Sequence, residues 1–196
     1  MIKPEDLFTV KYNQELPEAG KLLVAEPFMT GYPFSRSIVL LIEHAMESSM
    51  GIILNRPILD ALNEVILEFE DLDPIPLYRG GPLGEDILFF IHSFEHIPKA
   101  LPIKKGLYLN GDFEFVKSAI IAGKLNASDF KFFLGYAGWG PNQLHYELQG
   151  DSWLVTEEPS DFILHQRPEH MWDNVLNNMG YKYKIWAKYP LDPSSN

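Results

Sequence analysis

Short, uninterrupted apolar runs are the feature that most constrains the fold of this chain. Two of them, Ser37–Glu43 and Met50–Asn55, are rich in β-branched or apolar residues and are too short for typical helices. Continuous apolar character over such a length is typical of strands that are buried on both faces. The residues between the two runs fit a loop, so we expect an antiparallel hairpin.

Further segments have the length and composition of strands. Six of them are Lys21–Glu26, Ile75–Arg79, Asp86–His92, Gly106–Asn110, Phe130–Tyr136 and Ser152–Thr156. The segment Lys182–Lys188 alternates between polar and apolar residues near the end of the chain. It therefore predicts one more strand.

Four segments have helix start and stop signals. The first covers residues 61–70, where Asp60 is the expected cap and apolar residues recur at helical spacing. The other three begin at Asp112 or at a proline, and each is followed by glycine. They are Phe113–Ala122, Pro141–Gln149 and Pro168–Met179.

Strands thus outnumber helices about two to one, and they do not alternate strictly with helices as in a doubly wound sheet. This pattern predicts an α+β fold with a mixed, largely antiparallel sheet and flanking helices, and a sheet of this kind can curl into a half-barrel. For 196 residues we expect a single domain that covers residues 1–196. Residues 1–20 are expected to form an N-terminal arm and residues 181–196 a C-terminal tail.

The composition excludes several classes of chemistry. The chain has no cysteine, which excludes disulfides, thiolate zinc sites and cysteine nucleophiles. The N-terminus has acids and a proline where a signal peptide has a basic end and an apolar run. The densest apolar runs are far shorter than the roughly 20 residues that span a bilayer. We therefore expect a cytoplasmic protein without a membrane partner.

The formal net charge of −11 is unevenly distributed. Residues 60–73 hold six acids and no base, and residues 142–173 hold seven acids and one arginine. The rest of the chain is nearly neutral, and its lysines gather between residues 99 and 131. Because the predicted helices 61–70, 142–149 and 169–179 are acidic and no basic recognition helix is present, direct nucleic-acid binding is not expected.

Several short motifs follow one another in a specific order. They are Phe34-Ser-Arg-Ser37, Glu43-His44, Gly51-Ile-Ile-Leu-Asn-Arg-Pro57, Arg79-Gly-Gly-Pro82, Gly135-Tyr-Ala-Gly-Trp-Gly-Pro-Asn-Gln-Leu144 and Ser152-Trp153-Leu154. In this order and spacing, over roughly residues 18–180, the chain resembles the bacterial YqgE/AlgH family. The resemblance implies a single α+β domain with a mixed sheet and flanking helices. It implies no established biochemical activity, although part of the family carries the label of a transcriptional regulator.

The sequence departs from the usual pattern of that family at three positions. Gly31 stands where Asp is common, Asn142 replaces a glycine, and His145 replaces a glutamate. An acid at position 145 is therefore not essential to what this member of the family does.

The arginines and one asparagine are candidate ligand-binding residues. Arg36, Arg56 and Arg79 lie in the motif segments, and Asn55 adjoins Arg56 at the end of a predicted strand. A guanidinium can bind a carboxylate or phosphate through two parallel hydrogen bonds, which would make a convergent anion site. The alternative, which we favour, is structural pairing with nearby acids, with Glu43 as the expected partner of Arg36 or Arg56.

The glycine motifs have two interpretations each. Gly80-Gly81 can cradle an anion in its backbone amides, but the favoured interpretation is a tight turn in which glycine supplies a positive φ. Gly138, Trp139 and Gln143 belong to a glycine-rich segment that leads into a predicted helix. That segment is either an anion site with a stacking surface at a helix N-terminus or a connection in which Trp139 packs in the core.

Catalytic, metal-binding and cofactor motifs are not evident in the sequence. His92 and His96 are four residues apart, a spacing that brings ligands together only on a helix. Ser37 near His44 is a weak hydrolase candidate because the chain has no nucleophile elbow. We therefore assign no catalytic residue, no metal ligand and no cofactor.

The sequence leaves three functions open. A cytosolic, non-enzymatic binding or regulatory module with an unknown protein or small-molecule partner is favoured. The first alternative is a binder of an anionic small molecule, or an enzyme, that uses the arginine and glycine–tryptophan segments. The second alternative, and the least favoured, is direct DNA binding. The sequence does not indicate an oligomeric state.

Overall fold

The computed structural model of the protein describes residue 11 and residues 13–189, and it contains ten strands and six helices within them. The strands are β1 (Leu22–Ala25), β2 (Ile38–His44), β3 (Ser49–Ile53), β4 (Pro57–Ala61), β5 (Pro76–Arg79), β6 (Leu83–His92), β7 (Leu101–Lys104), β8 (Leu107–Leu109), β9 (Phe130–Trp139) and β10 (Trp153–Thr156). The helices are α1 (Leu62–Val65), α2 (Phe113–Ile121), α3 (Gln143–Gln149), α4 (Ser160–His165), α5 (Pro168–Asn178) and α6 (Tyr181–Trp186). Most of the predicted N-terminal arm and residues 190–196 of the predicted tail lie outside the described residues.

The strands form one mixed sheet in the order β10-β1-β2-β3-β9-β6-β8-β7, in which neighbours are antiparallel. Strand β9 joins the two halves of this sheet, the half that contains β3 and the half that contains β5 and β6. It pairs with β5 in parallel at Phe132 and with β3 antiparallel at Ala137, while β4 pairs with β5 at the edge. The sheet curls into a half-barrel within a single domain, which confirms the predicted α+β fold class.

The core explains why the strand sequences are continuously apolar. Alternate residues of β2 enter different hydrophobic clusters: Ile38 and Leu40 pack on one face of the sheet, Val39 and Leu41 on the other. The first cluster is completed by α4, α5 and α6 and the second by α3, while α2 covers a third cluster. A strand buried on both faces has no position for a polar residue, as the apolar runs indicate.

The predicted β2–β3 hairpin is confirmed. Val39 pairs with Ile53 and Leu40 with Ile52, and a bulge between Leu41 and Glu43 shifts the register near the turn. The cap of α2 is confirmed too, because the side chain of Asp112 accepts a hydrogen bond from the backbone amide of Phe115 at 3.2 Å.

The predicted helix over residues 61–70 is wrong. Helix α1 lasts four residues, Ile66 is extended, and a single 3₁₀ turn follows at Leu67–Phe69. The Asn63 side chain accepts from the Ile75 amide at 2.8 Å and donates to the Phe69 carbonyl at 2.7 Å. These side-chain bonds to the backbone favour a folded-back loop over a continuous helix.

Other boundaries also differ from the prediction. The alternating segment Lys182–Lys188 is not a strand, since most of it belongs to helix α6, which buries Trp186. Strand β9 continues through Trp139, so the predicted glycine-rich loop is largely strand. Helix α3 begins at Gln143 rather than at Pro141, after Asn142 in the left-handed conformation.

Candidate functional site

The loop between β1 and β2, residues 26–37, is held in place by Arg56. Its Nε donates to the carbonyl of Pro33 at 2.8 Å, its Nη1 donates to the carbonyl of Asn55 at 3.1 Å, and its Nη2 donates to the carbonyl of Ser35. Burial lowers the pKa of Arg56 from its ordinary value. Its hydrogen bonds thus go to backbone carbonyls and not to Glu43, the partner that was expected.

Asn55 connects the same loop to the sheet. Its Oδ1 accepts from the Ile38 amide at 2.9 Å, and its Nδ2 donates to the Arg36 carbonyl at 3.0 Å. The side chain is only 6% exposed. Asn55 therefore satisfies one donor and one acceptor of the backbone where β2 leaves the loop.

Arg36 extends from the loop towards α5. Its guanidinium carbon lies 4.8 Å from the centre of the Trp172 ring, and its Nη2 donates to the carbonyl of Tyr189. Its Nε is buried without a hydrogen-bond partner among the described residues. Arg36 also has a positive φ of 52°, an uncommon conformation that costs free energy outside glycine.

A cavity of about 450 Å³ separates this loop from α5. Its lining includes Arg36, Asn55 and Arg56, together with Trp172 and Asp173 of α5. Asp173 Oδ1 is buried without a partner among the described residues. The further lining residues are Gly31, Tyr32, Ser35, Pro57, Pro168 and Glu169. The wall therefore offers both guanidinium and carboxylate groups.

Arg79 and the glycines that follow it do not line this cavity. Arg79 pairs with Glu85 at 2.5 Å, and its guanidinium carbon lies 5.6 Å from the centre of the Tyr32 ring. Gly80 and Gly81 join β5 to β6, and neither has a positive φ. They are glycines because a β-carbon at either position would overlap the backbone of β9, so the expected reason for glycine there is wrong.

The glycine–tryptophan segment makes a hydrogen-bond network around Glu147. The indole Nε1 atoms of Trp139 and Trp153 both donate to Glu147 Oε2 at 2.8 Å. The Gln143 amide donates to Glu147 Oε1 at 2.9 Å, and its own oxygen accepts from the Gly140 amide at 3.0 Å. Trp139 packs in the core, as the second of the two interpretations proposes.

A second cavity of about 430 Å³ lies beside this network. Gly138, Trp139 and Gln143 line it, together with Glu147. Its other lining residues are Met29, Thr30, Phe34, Pro82, Leu83, Ser152 and Trp153. The β1–β2 loop contributes to both cavities. Six of the predicted site residues therefore divide into an arginine group on the first cavity (Arg36, Asn55 and Arg56) and a tryptophan group on the second (Gly138, Trp139 and Gln143), while Arg79, Gly80 and Gly81 line neither of these two.

Sequence reasoning missed three residues of these cavities: Glu147, Trp172 and Asp173. Glu147 had a usable signal, since it lies four residues after Gln143 on a predicted helix and therefore on the same face. Trp172 and Asp173 had no such signal in the sequence. They share a cavity with Arg36, and Trp172 contacts it, although both residues are far from Arg36 in the sequence.

The histidines occupy other positions. His92 is buried, with its Nε2 2.7 Å from the carbonyl of Asn110 and its Nδ1 accepting from the Phe94 amide at 3.1 Å. Burial lowers the pKa of His92, which keeps the ring neutral. His44 contacts Ser49 at 2.8 Å rather than Ser37. Within the described residues, no three His, Asp or Glu side chains are grouped to hold a metal ion.

Comparison with known proteins identifies the family. The AlgH-like family model matches residues 22–184. The chain belongs to the AlgH-like family. A UPF0301 protein of Bacteroides thetaiotaomicron is 43% identical over 191 residues, which are 97% of this chain and 97% of that protein. Its name states no activity.

Two solved structures of AlgH-like fold agree with the architecture. A Corynebacterium diphtheriae protein, solved by X-ray crystallography, matches with a TM-score of 0.74 at 23% identity over 89% of this chain and 94% of the other. The solution structure of the Pseudomonas aeruginosa AlgH protein matches with a TM-score of 0.69 at 25% identity, over 91% of this chain and 98% of the other.

None of the helices described for this AlgH-like chain has the length and apolar character to cross a membrane.

Proposed function

We propose that the protein is a non-enzymatic, cytoplasmic binding module for a small zwitterion, which it holds in the cavity between the β1–β2 loop and α5. The observation that supports this proposal is the placement of Arg36. Its guanidinium stacks on Trp172, and it lines a cavity that Asp173 also borders. Stacking orients a guanidinium at low entropic cost, which suits recognition of a carboxylate or phosphate.

The charges of the cavity favour a ligand with both signs. Arg36 and Arg56 attract an anionic group, and the amino end of α5 adds a partial positive charge because no side chain caps it. Glu169 and Asp173 also line the cavity and would repel a purely anionic ligand. A zwitterion can place its anion near the arginines and its ammonium near the acids.

Buried polar atoms on the wall indicate that the cavity is incomplete without an occupant. Arg36 Nε and Asp173 Oδ1 are both buried and unpaired among the described residues. Each such group costs about 1–3 kcal/mol. A small adjustment of either side chain on ligand binding would recover part of that free energy.

Calorimetric titration with a panel of amino acids, simple carboxylates and simple amines tests the proposal. We expect an amino acid to bind more tightly than either single-charge class and to be recovered chemically unchanged. Arg36→Gln and Asp173→Asn should each weaken binding by about tenfold, which corresponds to one lost charged contact. The controls Lys105→Gln and Asp161→Asn change exposed charges elsewhere. Equal affinity in all four variants would refute the assignment of the cavity.

A further inference from the structure

The Glu147 carboxylate forms no ion pair with any Lys, Arg or His of the described part of the chain. Its three hydrogen-bond donors are the indoles of Trp139 and Trp153 and the amide of Gln143, all of them neutral. No lysine, arginine or histidine of the described residues lies within ion-pair distance of it. A cationic ligand could therefore supply the positive charge that pairs with this carboxylate.

The hydrogen bonds leave Glu147 one free acceptor position. A carboxylate has about four acceptor positions. The two indoles use both positions of Oε2, and Gln143 uses one position of Oε1. Oε1 can therefore accept one more hydrogen bond, and a cationic donor would make that bond charge-assisted.

The cavity beside Glu147 has apolar and aromatic walls. Phe34 meets Trp153 edge to face with ring centres 5.9 Å apart, and Trp153 meets Trp139 in the same manner at 6.1 Å. Met29 and Leu83 add aliphatic surface. Such walls accommodate a short hydrocarbon chain, and the aromatic rings attract a cation electrostatically.

We infer that this second cavity binds a primary ammonium group on a compact apolar chain, with the ammonium donating to Glu147 Oε1. The inference is independent of the zwitterion site. The two cavities use different charged side chains and have no lining residue in common.

The matched probes isopentylammonium and isopentanol test this inference. They share the same hydrocarbon chain and each can donate a hydrogen bond to Glu147, so their difference reports the replacement of a neutral head group by a cationic one. Trp139 and Trp153 line the cavity, and tryptophan fluorescence titration therefore gives a local signal, which calorimetry can check. We expect the cation to bind at least about tenfold more tightly than the alcohol and to lose affinity in high salt. Equal binding of the two probes, or no binding of the cation, would overturn the inference.

Variants locate the site. Glu147→Gln keeps an oxygen that can accept from both indoles but removes the charge, and it should reduce isopentylammonium affinity about tenfold or more. Glu95→Gln removes an exposed charge outside the cavity and should bind as the wild type does. Thermal melts test whether both variants fold. If Glu147→Gln does not fold, the comparison of the two probes on the wild type still tests the inference. Unchanged affinity in folded Glu147→Gln would contradict the site.

Discussion

Asn55 and Arg56 are adjacent in the sequence and fix the same loop through different chemistry. Arg56 supplies three donors to carbonyls of the loop and of its own neighbour. Asn55 supplies one donor and one acceptor, which an amide side chain can do at once through two different atoms. The motif that contains them thus positions the loop that lines both cavities, and the proposed ligand binding depends on it.

Replacing Asn55 with alanine should destabilise the protein by roughly 2–4 kcal/mol. The variant leaves the Ile38 amide and the Arg36 carbonyl without their partner in a buried place, at about 1–3 kcal/mol each. Urea denaturation measures the change. Asn126→Ala is the control, because Asn126 is exposed and its side chain does not cap the turn that it precedes. Similar free energies of unfolding for both variants would contradict the role of Asn55.

Lys131 is buried, and its ammonium caps the end of α4. Its Nζ donates to the carbonyls of Ile163 at 3.0 Å and Gln166 at 3.1 Å. Burial lowers the pKa of Lys131 from 10.5 to about 8. The unfolded chain therefore binds more protons than the folded one between pH 8 and pH 10.5, so this residue makes stability rise with pH across that window.

The difference in stability between wild type and Lys131→Met should consequently change with pH. Between about pH 8 and pH 10.5, we expect the unfolding free energy of the wild type to rise relative to that of Lys131→Met by on the order of 2–4 kcal/mol. The reason is that the neutral amine keeps its hydrogen bonds without the cost of burying a charge. Urea denaturation at several pH values measures it. Lys105→Met, at an exposed position, should give a flat difference, and a flat difference for Lys131→Met as well would contradict the interpretation.

At the scale of elements, the sequence predicts strands well where both faces are buried. The segments that became β2 and β3 are such strands, and apolar continuity is enough to find them. Strand β4 was not predicted, because it begins with Pro57, which has no backbone amide to donate to a neighbouring strand. Proline is tolerated there, since β4 pairs with β5 alone and lies at an edge where a missing amide costs little.

Elements that depend on distant contacts could not be predicted. The alternation in Lys182–Lys188 fits a strand locally, but burial of Trp186 against the first core cluster selects a helix. Residues 61–70 have helical spacing, yet Val65 and Leu67 are largely exposed and Asn63 ties the loop instead. The candidate residues were found because they lie in specific motifs, whereas their division into two cavities follows from the path of the β1–β2 loop.

Gly81 lies in the connection between β5 and β6, directly against the backbone of β9, and this position requires glycine. A methyl group there would overlap the backbone of Tyr136, and strands that are paired on both sides cannot move aside. Gly81→Ala should therefore cost roughly 3 kcal/mol or more. Gly140→Ala is the matched control, because the added carbon would meet only the Gln143 side chain at 3.9 Å. Thermal and urea unfolding measure both, and a tolerated Gly81→Ala would contradict this account.

At the scale of the whole molecule, the lysines between residues 99 and 131 do not form a free basic surface. Lys99 pairs with Asp112, Lys104 with Glu157, and Lys117 with both Glu68 and Glu114. Lys131 is buried. Glu68 and Glu157 come from the two acidic segments, whereas Asp112 and Glu114 belong to the basic region itself, a pairing that the charge totals alone do not reveal.

We therefore expect no duplex DNA binding tighter than roughly 100 µM, even at low salt. Phosphate contacts need free cations aligned on one surface, and the basic helix α6 is six residues long with Lys182 lying 5.2 Å from the centre of the Trp186 ring. Fluorescence anisotropy with labelled duplexes of different sequence measures this. Saturable binding that weakens with salt would contradict the prediction and show that cations outside these ion pairs contact DNA. Binding that is lost in Lys182→Gln and Lys184→Gln, but kept in Lys105→Gln, would assign that contact to α6.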